Sequence, residues 1–339
     1  METFGLDIGS TSTKIVQLEK VGGKIRLLAA GIVPTPVPGF TSEAESDLVA
    51  LATALKKLHQ ETKIASKKVV TALPEEEVFT RVIELPPMSE DEVAQAINWE
   101  AEQFVPKPLS EVTLDWRIIS KGEAGREMGQ MKIFLVAAPK KLIEKYLKVM
   151  SLAGFEVVGI ETEMVANARA LILASASPTM ILDFGAKTTD LAVIRAGQVI
   201  STRSIPTAGE AFTRAISSGL SLETAQAEEY KRAYGLEETQ LEGKIKAALA
   251  PIFKVVIDEI KRTLQAWREK EKEPLSRLIL AGGTANLPQA STILAHELGI
   301  EVQIADPFAQ LEVGEEVMSS LKGNTCLFTA AVGLAQKEI

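Results

Sequence analysis

Two short stretches of the chain share one pattern. Residues 5–16 read GLDIGSTSTKIV, and residues 181–193 read ILDFGAKTTDLAV. When the acidic residues of the two stretches are aligned, Gly9 coincides with Gly185, and a pair of small hydroxyl residues follows three positions later in both. Each copy is an apolar run, an acidic residue, a glycine, a polar turn and a second alternating run. This order predicts a strand, a tight turn and a returning strand, twice in the chain.

The tips of these two hairpins have the composition of polyphosphate-binding loops. Gly9 and Gly185 let the backbone approach closely and aim N–H groups into one concavity, which favours anions. Asp7 and Asp183 come where the first strand of each copy ends, a position suited to holding a hydrated Mg²⁺. Lys14 follows Asp7 by seven residues and is placed to reach back to a phosphate as a point charge. Either copy alone is also compatible with an ordinary hairpin, but two copies in matching register favour phosphate binding.

A third glycine-containing stretch lies downstream. Residues 278–288 read LILAGGTANLP, an apolar strand that runs into the paired glycines Gly282 and Gly283 and then into a predicted helix. Paired glycines allow a flat group to lie against bare backbone, although alone this is a common strand-to-helix turn. In the order DxGxxxxK, DxGxxTT and GGTxNLP, the three stretches resemble the phosphate-1, phosphate-2 and adenosine motifs of the actin-like ATPase superfamily (actin, Hsp70, sugar kinases, FtsA).

Composition sets limits on the function class. The chain has 339 residues, enough for two or more cores, with 46% hydrophobic and 24% charged residues, as is usual for a globular protein. The net charge is −8 and no block rich in Lys and Arg occurs, so we expect no nucleic-acid partner. The single cysteine, Cys326, excludes a disulfide framework, and with only two histidines no conventional zinc site can form. The sequence also lacks a GxxxxGK[ST] loop, a GxGxxG fingerprint and a GxSxG elbow.

The sequence favours a cytoplasmic location. Met1 lies directly before the first predicted strand, so we expect no signal peptide. The longest apolar run, around residues 170–182, is interrupted by Ser175, Ser177 and Pro178 and is too short to span a bilayer. We therefore expect no direct membrane insertion, and any contact with a membrane to come through a partner.

The predicted elements repeat one plan. Three strands over residues 4–33 and a helix over Ser46–Gln60 open the first half. The second half is predicted to contain strands within 180–205, helices within 208–272, a strand over Arg277–Ala281, a helix around 288–298, a strand over Glu301–Ile304 and a closing helix over 325–337. Helices that follow parallel-type strands imply a two-lobed α/β fold with a ligand in the cleft between the lobes.

Between the halves lies a predicted insert of ββαββα type. Its elements are strands over Lys68–Leu73 and Val78–Leu85, a helix opened by a capping box at Ser89–Glu92, a strand from Val112, a polar turn over Lys121–Gln130, a strand over Met131–Ala137, and a helix that starts after Pro139 and closes at Gly154. A helix over Glu161–Leu173 follows the insert.

The insert points to one branch of the superfamily. Its segments TALP (71–74), IELP (83–86), INWE (97–100), FVP (104–106) and LDW (114–116), with the closing AAVGLA (330–335), resemble the PilM family of type IV pilus assembly proteins, an FtsA-like branch, over nearly the whole chain. The resemblance implies an α/β, two-lobed actin-like ATPase fold (ribonuclease H-like duplicated lobes) with a small α/β insert subdomain in the first lobe. The expected division is 1–66 first lobe, 67–154 insert, 155–178 end of the first lobe and connecting helix, 179–324 second lobe, and 325–339 a C-terminal helix packing back on the first lobe.

The resemblance also implies a site for ATP and Mg²⁺ between the lobes. The expected nucleotide-binding residues are Gly9, Ser10, Thr11, Ser12, Lys14, Gly185, Lys187, Thr188, Thr189, Gly282, Gly283, Thr284 and Asn286. Asp7 and Asp183 are expected to hold the metal, mostly through water. Glu163 matches the position of an acidic residue that faces the attacking water, and the alternative is a helix-N-terminal glutamate that complements the dipole.

Two further nucleotide contacts are less determined. Lys187 departs from the small or polar residue usual in the second loop, and either adds a phosphate contact or points to solvent. Adenine contacts from a helix containing Glu228, Lys231 and Arg232 are possible by analogy.

The resemblance further implies that the protein docks the cytoplasmic N-terminal peptide of PilN in a groove between the first lobe and the insert. Further expected partners are the assembly ATPase and the platform protein of the inner-membrane complex. Trp99 lies off the apolar face of its predicted helix, so it is either a partner contact or part of the packing inside the insert.

Several functions remain open at this point. The first is a nucleotide-switched assembly adaptor with weak or no ATPase activity. The second is an FtsA-like cell-division protein, although the chain stops at Ile339 directly after the core helix and shows no membrane-binding amphipathic helix. The third is a sugar or acid kinase, and the fourth is a scaffold that does not bind nucleotide.

Overall fold

The computed structural model describes residues 3–121, 129–172 and 177–339. Most of the polar turn predicted over Lys121–Gln130 and the last residue of the helix predicted over Glu161–Leu173 lie outside the described residues. The strands are β1 (Phe4–Ile8), β2 (Ser12–Val21), β3 (Lys24–Pro34), β4 (Lys68–Leu73), β5 (Phe79–Leu85), β6 (Val112–Ser120), β7 (Met131–Pro139), β8 (Glu156–Thr162), β9 (Thr179–Phe184), β10 (Thr189–Arg195), β11 (Gln198–Ile205), β12 (Arg277–Ala281) and β13 (Glu301–Ile304).

Helices cover the faces of these strands. They are α1 (Glu45–Glu61), α2 (Glu90–Phe104), α3 (Lys140–Ala153), α4 (Glu163–Leu171), α5 (Gly209–Leu220), α6 (Thr224–Tyr234), α7 (Lys244–Lys270), α8 (Ala290–Leu298), α9 (Glu315–Leu321) and α10 (Thr329–Ala335). Within the described ranges, none of these helices is long and apolar enough to cross a membrane.

Two five-stranded sheets repeat one strand order. The first runs β3-β2-β1-β4-β8 and the second runs β11-β10-β9-β12-β13. In each, the first three strands are antiparallel neighbours and the last two join in parallel. The predicted strand-turn-strand repeat is therefore confirmed, and it forms the centre of two sheets with the same topology.

The register within each hairpin places the predicted site residues opposite one another. Asp7 pairs with Lys14 across β1 and β2, and Asp183 pairs with Asp190 across β9 and β10. Both pairs span seven residues, so Asp190 takes in the second sheet the position that Lys14 takes in the first. The carboxyl ends of β1 and β9 consequently carry the two acidic side chains, with Lys14 on β2 and Asp190 on β10 opposite them.

The insert forms a third sheet in the order β5-β7-β6, covered on one face by α2. Its helix begins as predicted, because the Ser89 side chain accepts from the Glu92 amide while the Glu92 carboxylate accepts from the Ser89 amide. Both ends of the predicted insert range 67–154 lie with the first sheet and not with the insert sheet. β4 pairs in parallel with β1, and α3 packs against α1, so both belong to the first sheet and its core. Parallel pairing joins residues far apart in the chain, and no local pattern reveals it.

Two helix boundaries also differ from prediction. The helix predicted from Glu161 begins at Glu163, because β8 continues to Thr162 and pairs Glu161 with Ala72. The helix predicted over 325–337 is a 3₁₀ turn followed by α10. α10 packs closely against α4 at Gly333. A Cβ on Gly333 would stand 1.9 Å from the Ala166 carbonyl oxygen, so only glycine permits this approach.

Candidate functional site

The first phosphate loop is a tight turn between β1 and β2. The Gly9 amide donates to the Ser12 carbonyl at 3.1 Å, which leaves Ser10 and Thr11 exposed at the tip. Behind the tip, Lys14 Nζ lies 3.0 Å from Asp7 Oδ2, and both side chains are buried. Lys14 is therefore ion-paired with the predicted metal residue, at the base of the loop that it was expected to serve.

Thr35, which follows β3, supports this loop. Its hydroxyl donates to the Gly9 carbonyl at 2.7 Å and lies 2.9 Å from the Thr13 hydroxyl, while its amide donates to the Thr11 carbonyl at 3.0 Å. These bonds fix the loop from the side opposite Lys14. Sequence reasoning missed Thr35, since it is brought to the loop only by the pairing of β2 with β3.

The second phosphate loop repeats the first. The Gly185 amide donates to the Thr188 carbonyl at 3.1 Å, the bond that corresponds to Gly9 and Ser12. The Thr188 hydroxyl donates to Asp190 Oδ2 at 2.9 Å. Thr189 is buried and its hydroxyl donates to the Thr207 carbonyl at 2.7 Å, so it supports the loop from behind. Lys187 is exposed, and its charge lowers the pKa of Glu76, although burial and Glu77 raise it.

The adenosine loop is bonded to the second phosphate loop. The Thr284 hydroxyl donates to the Gly185 carbonyl at 2.7 Å. Gly282 has φ +80°, and a Cβ there would lie 2.4 Å from Asp183 Oδ1, so the close approach of the two loops requires glycine. Asn286 lies farther out, where it is exposed and donates to the Gly323 carbonyl at 2.8 Å.

α6 joins this side of the site through a buried lysine. Lys231 Nζ donates to the Gly209 carbonyl at 3.0 Å, to the Thr213 hydroxyl at 2.9 Å and to Glu228 Oε2 at 2.6 Å. The Gly209 amide in turn donates to the Gly185 carbonyl at 3.2 Å. Lys231, proposed by analogy as an adenine contact together with Glu228, is thus connected to the second phosphate loop by two consecutive hydrogen bonds, and Glu228 by one more.

Carboxylates concentrate between the two loops. Burial raises the pKa of Glu163 well above its ordinary value, and the charges of Asp7, Asp190 and Asp183 raise it further. Burial also raises the pKa of Asp190, to about 7. Burial alone acts to lower the pKa of Lys14, but Asp7, with Asp183 and Glu163, outweighs it and raises that pKa. Around the Asp7–Lys14 pair the site therefore holds more acidic groups than Lys14 neutralises, which favours a bound cation.

Two residues that sequence reasoning missed complete this acidic cluster. Asn167 on α4 donates to Asp183 Oδ2 at 2.8 Å and so fixes the orientation of that carboxylate. Asp190 faces Asp183 across the strand pair. The signal for Asp190 was present in the sequence, since it follows Asp183 at the spacing that separates Lys14 from Asp7. No pattern indicated Asn167.

The residues present fit a magnesium ion held partly by water. No group of three or more acidic, cysteine or histidine side chains in the described ranges is already arranged around a single point. Mg²⁺ is usually bound through one or two carboxylates together with water and substrate phosphates, so a preformed cage is not required. Buried oxygens without a hydrogen-bond partner among the described residues include Asn167 Oδ1 and Asp190 Oδ1, which are suited to accept from metal-bound water.

Comparison with known proteins identifies the family. The family model described as type IV pilus assembly protein PilM matches residues 5–339. The solved structure of a PilM-PilN type IV pilus biogenesis complex superposes with a TM-score of 0.85 at 28% identity, covering 99% of this chain and 98% of that one. MreB5 of Spiroplasma citri bound to AMPPNP superposes with a TM-score of 0.55 at 16% identity, covering 98% and 94%, and shows the actin-like fold.

Curated relatives are more distant. The cell division protein FtsA of Bacillus subtilis (strain 168) is 23% identical over 256 residues, which make up 68% of this chain but only 57% of that protein. The match to the PilM family, in contrast, spans the two sheets, the insert and the C-terminal helix. The chain has the two-lobed actin-like fold and belongs to the PilM family of type IV pilus assembly proteins.

Proposed function

We infer that this protein is a nucleotide-switched adaptor of the type IV pilus assembly machinery, with ATP and Mg²⁺ bound between its two lobes. The observation that carries this inference is the direct hydrogen bonding of the predicted nucleotide motifs. Thr284 of the adenosine loop bonds Gly185 of the second phosphate loop, and Gly282 approaches Asp183. The first phosphate loop has the same backbone hydrogen bond as the second. Two matching phosphate loops around an acidic centre suit a polyphosphate with a divalent cation.

Different residues would bind the phosphates, the metal ion and the nucleoside. Backbone amides at the tips of the two phosphate loops would bind the phosphates, and Lys14 would contribute its positive charge. Asp7 and Asp183 would hold Mg²⁺ through water, and the metal would neutralise charge on the phosphates. The adenosine loop at Gly282 and the neighbouring helix α6 would hold the nucleoside.

Glu163 explains why hydrolysis is expected to be slow or absent. Burial and the surrounding carboxylates raise the pKa of Glu163 well above its ordinary value, which disfavours the ionised carboxylate that a general base towards an attacking water requires. Differential binding of ATP to two lobe arrangements, without rapid turnover, is sufficient for a switch.

The partner is proposed to dock between the insert and the first lobe. A cavity of about 580 Å³ on the insert is lined by insert residues alone, Glu90 at the start of α2 and residues 116–121 of β6 and the segment after it. Arg117 reaches towards the first lobe from this wall: burial and the charge of Arg169 on α4 lower its pKa, and Glu161 on β8 raises it. β6 is an edge strand of the insert sheet in the described ranges, so an extended peptide has a strand to pair with.

The occupant proposed for this groove is the cytoplasmic N-terminal peptide of PilN, since the similar solved structure is a PilM-PilN complex. Docking to PilN would keep the protein in the cytoplasm at the inner membrane, beside the assembly ATPase and the platform protein. We expect these last two to be partners as well.

A peptide titration tests this function. A fluorescent peptide with the N-terminal sequence of the neighbouring PilN is titrated with the protein, with and without AMPPNP and Mg²⁺, and its anisotropy is measured. We expect the dissociation constant to change about 10-fold with nucleotide, within the usual range of coupling between sites. Nucleotide binding without any effect on the peptide would contradict the switch, and peptide binding without nucleotide binding would leave a scaffold.

Two tryptophans locate the groove. Trp116 lines the cavity, whereas Trp99 lies on α2 with 76% of its surface exposed. Trp116→Ala is expected to weaken peptide binding at least 10-fold, and Trp99→Ala is expected to leave it unchanged. The reverse result would place the docking surface on the outer face of α2.

A further inference from the structure

Glu75 lies where the first lobe, the insert and the second lobe meet. It begins a 3₁₀ turn, Glu75–Glu77, directly after β4, and its side chain is only 4% exposed. Thr80 on β5 of the insert donates to Glu75 Oε1 at 3.4 Å. The Thr80 hydroxyl is also hydrogen-bonded to the Thr202 hydroxyl on β11 of the second lobe. One carboxylate thus joins the end of a first-lobe strand to both other parts.

The same carboxylate faces the start of α4. Burial raises the pKa of Glu75, while the hydroxyls of Thr202, Thr80 and Thr162 and the amide of Met164 lower it. Thr162 and Met164 flank Glu163, the residue at the start of α4 that faces the acidic cluster. Glu75 therefore interacts with the two residues on either side of Glu163, Thr162 and Met164.

Buried polar oxygens from all three parts of the molecule meet at this junction. Thr162 ends β8, and its hydroxyl lowers the pKa of Glu75 against the effect of burial. Ser204 lies on β11, two residues after Thr202 and opposite Asp190, and its hydroxyl lowers the pKa of Asp190 against the effect of burial. The polar contacts of Glu75 and of Asp190 therefore reach the same strand of the second lobe.

The insert also packs on the second lobe through its other face. Phe134 on β7 is 4% exposed and belongs to the core of the second lobe, and Val82 and Val136 pack against that core beside it. Lys132 Nζ lies 3.7 Å from Glu271 at the end of α7. Because the insert is held against the second lobe, a displacement of that lobe is transmitted to β5 and β7 as a packed unit.

We propose that Glu75 is the positioning residue that couples the nucleotide cleft to the insert, by holding the start of α4 together with β5 and β11. The inference rests on the proposed function, since it concerns how nucleotide state reaches the peptide groove. When the lobes close on a nucleotide, β11 moves relative to the first lobe, and the contacts from Thr202 through Thr80 to Glu75 carry that movement into the insert. The groove between β6 and the first lobe changes width as a result.

A coupling measurement with matched variants tests this role. The quantity measured is the ratio of peptide dissociation constants without and with AMPPNP and Mg²⁺, for the wild type, Glu75→Ala, Glu75→Gln and Glu77→Ala. Glu77 lies in the same turn but is exposed. We expect the ratio to fall from about 10 in the wild type to less than 2 in Glu75→Ala, and to stay within 2-fold of the wild type in Glu77→Ala.

Rescue by the conservative variant separates positioning from a general structural role. Glutamine keeps an acceptor oxygen for Thr80, so Glu75→Gln is expected to retain the wild-type ratio. Thr202→Val removes the hydroxyl that bonds Thr80 while it keeps the side-chain volume on β11. This variant is expected to reduce the ratio to less than 2 and still to bind the peptide alone and AMPPNP alone. This second variant carries the test if Glu75→Ala does not fold.

The outcomes distinguish the two levels of inference. A wild type that binds no nucleotide contradicts the proposed function and this inference with it. A wild type that shows coupling, together with Glu75→Ala and Thr202→Val proteins that keep the full ratio, contradicts the role of Glu75 alone. Equal loss of coupling in Glu77→Ala would show that any change in the turn is sufficient and would also overturn the assignment.

Discussion

Replacement of Lys14 by methionine tests the electrostatics of the first phosphate loop. Lys14 and Asp7 form a buried pair with 3.0 Å between Nζ and Oδ2. Removal of one partner of a buried pair costs about 3–5 kcal/mol, because the other charge stays buried without compensation. The expected loss of stability in Lys14→Met is therefore about 3–5 kcal/mol.

This loss corresponds to a measurable change in melting temperature. With an unfolding entropy of about 2.1 cal/mol/K per residue, it lowers the melting temperature of the 339-residue chain by about 4–7 °C. Scanning calorimetry measures this change.

Two further variants make this result interpretable. Lys24→Met removes a lysine from an exposed pair with Glu312 at 2.7 Å, and we expect no measurable change in melting temperature. The double variant with Asp7→Asn and Lys14→Met removes both charges of this pair and is expected to regain part of the loss, because Lys14 also acts on Asp183 and Glu163. If Lys14→Met melts like the wild type at pH 7, the pair does not stabilise the loop as argued.

Three other variants test separate parts of the structure. Gly282→Ala places a Cβ against Asp183 and is expected to abolish nucleotide binding in calorimetric titration, whereas Gly299→Ala, which has a similar positive φ but open space around it, should cost stability and leave nucleotide binding intact. In the wild type, the raised pKa of Asp190, about 7, contributes stability at low pH that is lost as the pH rises from about 4 to 7. Asp190→Asn should therefore make the free energy of unfolding less dependent on pH in this range. Urea unfolding at pH 5 and pH 8 measures the difference. Gly333→Ala forces α10 away from α4 and should lower the free energy of unfolding by about 1–3 kcal/mol, the usual cost of overpacking. The urea midpoint measures this change. An unchanged value in any of the three would contradict the contact on which it depends.

The repeated motif was sufficient to predict the centre of the fold. A strand, a glycine turn and a returning strand are local features, and both hairpins occur where the sequence places them. The spacing from the acidic residue to the glycine also fixed which residues lie at each loop tip. Asp190 could have been found by the same spacing, since it is the counterpart of Lys14.

Residues supplied by distant parts of the chain were not predictable. Thr35 reaches the first loop only because β3 pairs with β2, and Asn167 reaches Asp183 only because α4 packs beneath both sheets. The membership of β4 in the first sheet depends on parallel pairing with β1. The burial of Glu75 is accompanied by contacts with Thr80 of the insert, which in turn bonds Thr202 of the second lobe, and no local pattern indicates it. Pairing and docking of this kind are not expressed in local periodicity.

Calorimetric titration of AMPPNP into the protein tests the central claim most directly. It is carried out with and without Mg²⁺ on the wild type and on Asp7→Asn. One equivalent of nucleotide bound by the wild type only when Mg²⁺ is present, with affinity reduced at least 10-fold in Asp7→Asn, is the predicted result. Absence of binding to the wild type, or equal binding to both proteins with and without Mg²⁺, would contradict a nucleotide site between the two phosphate loops.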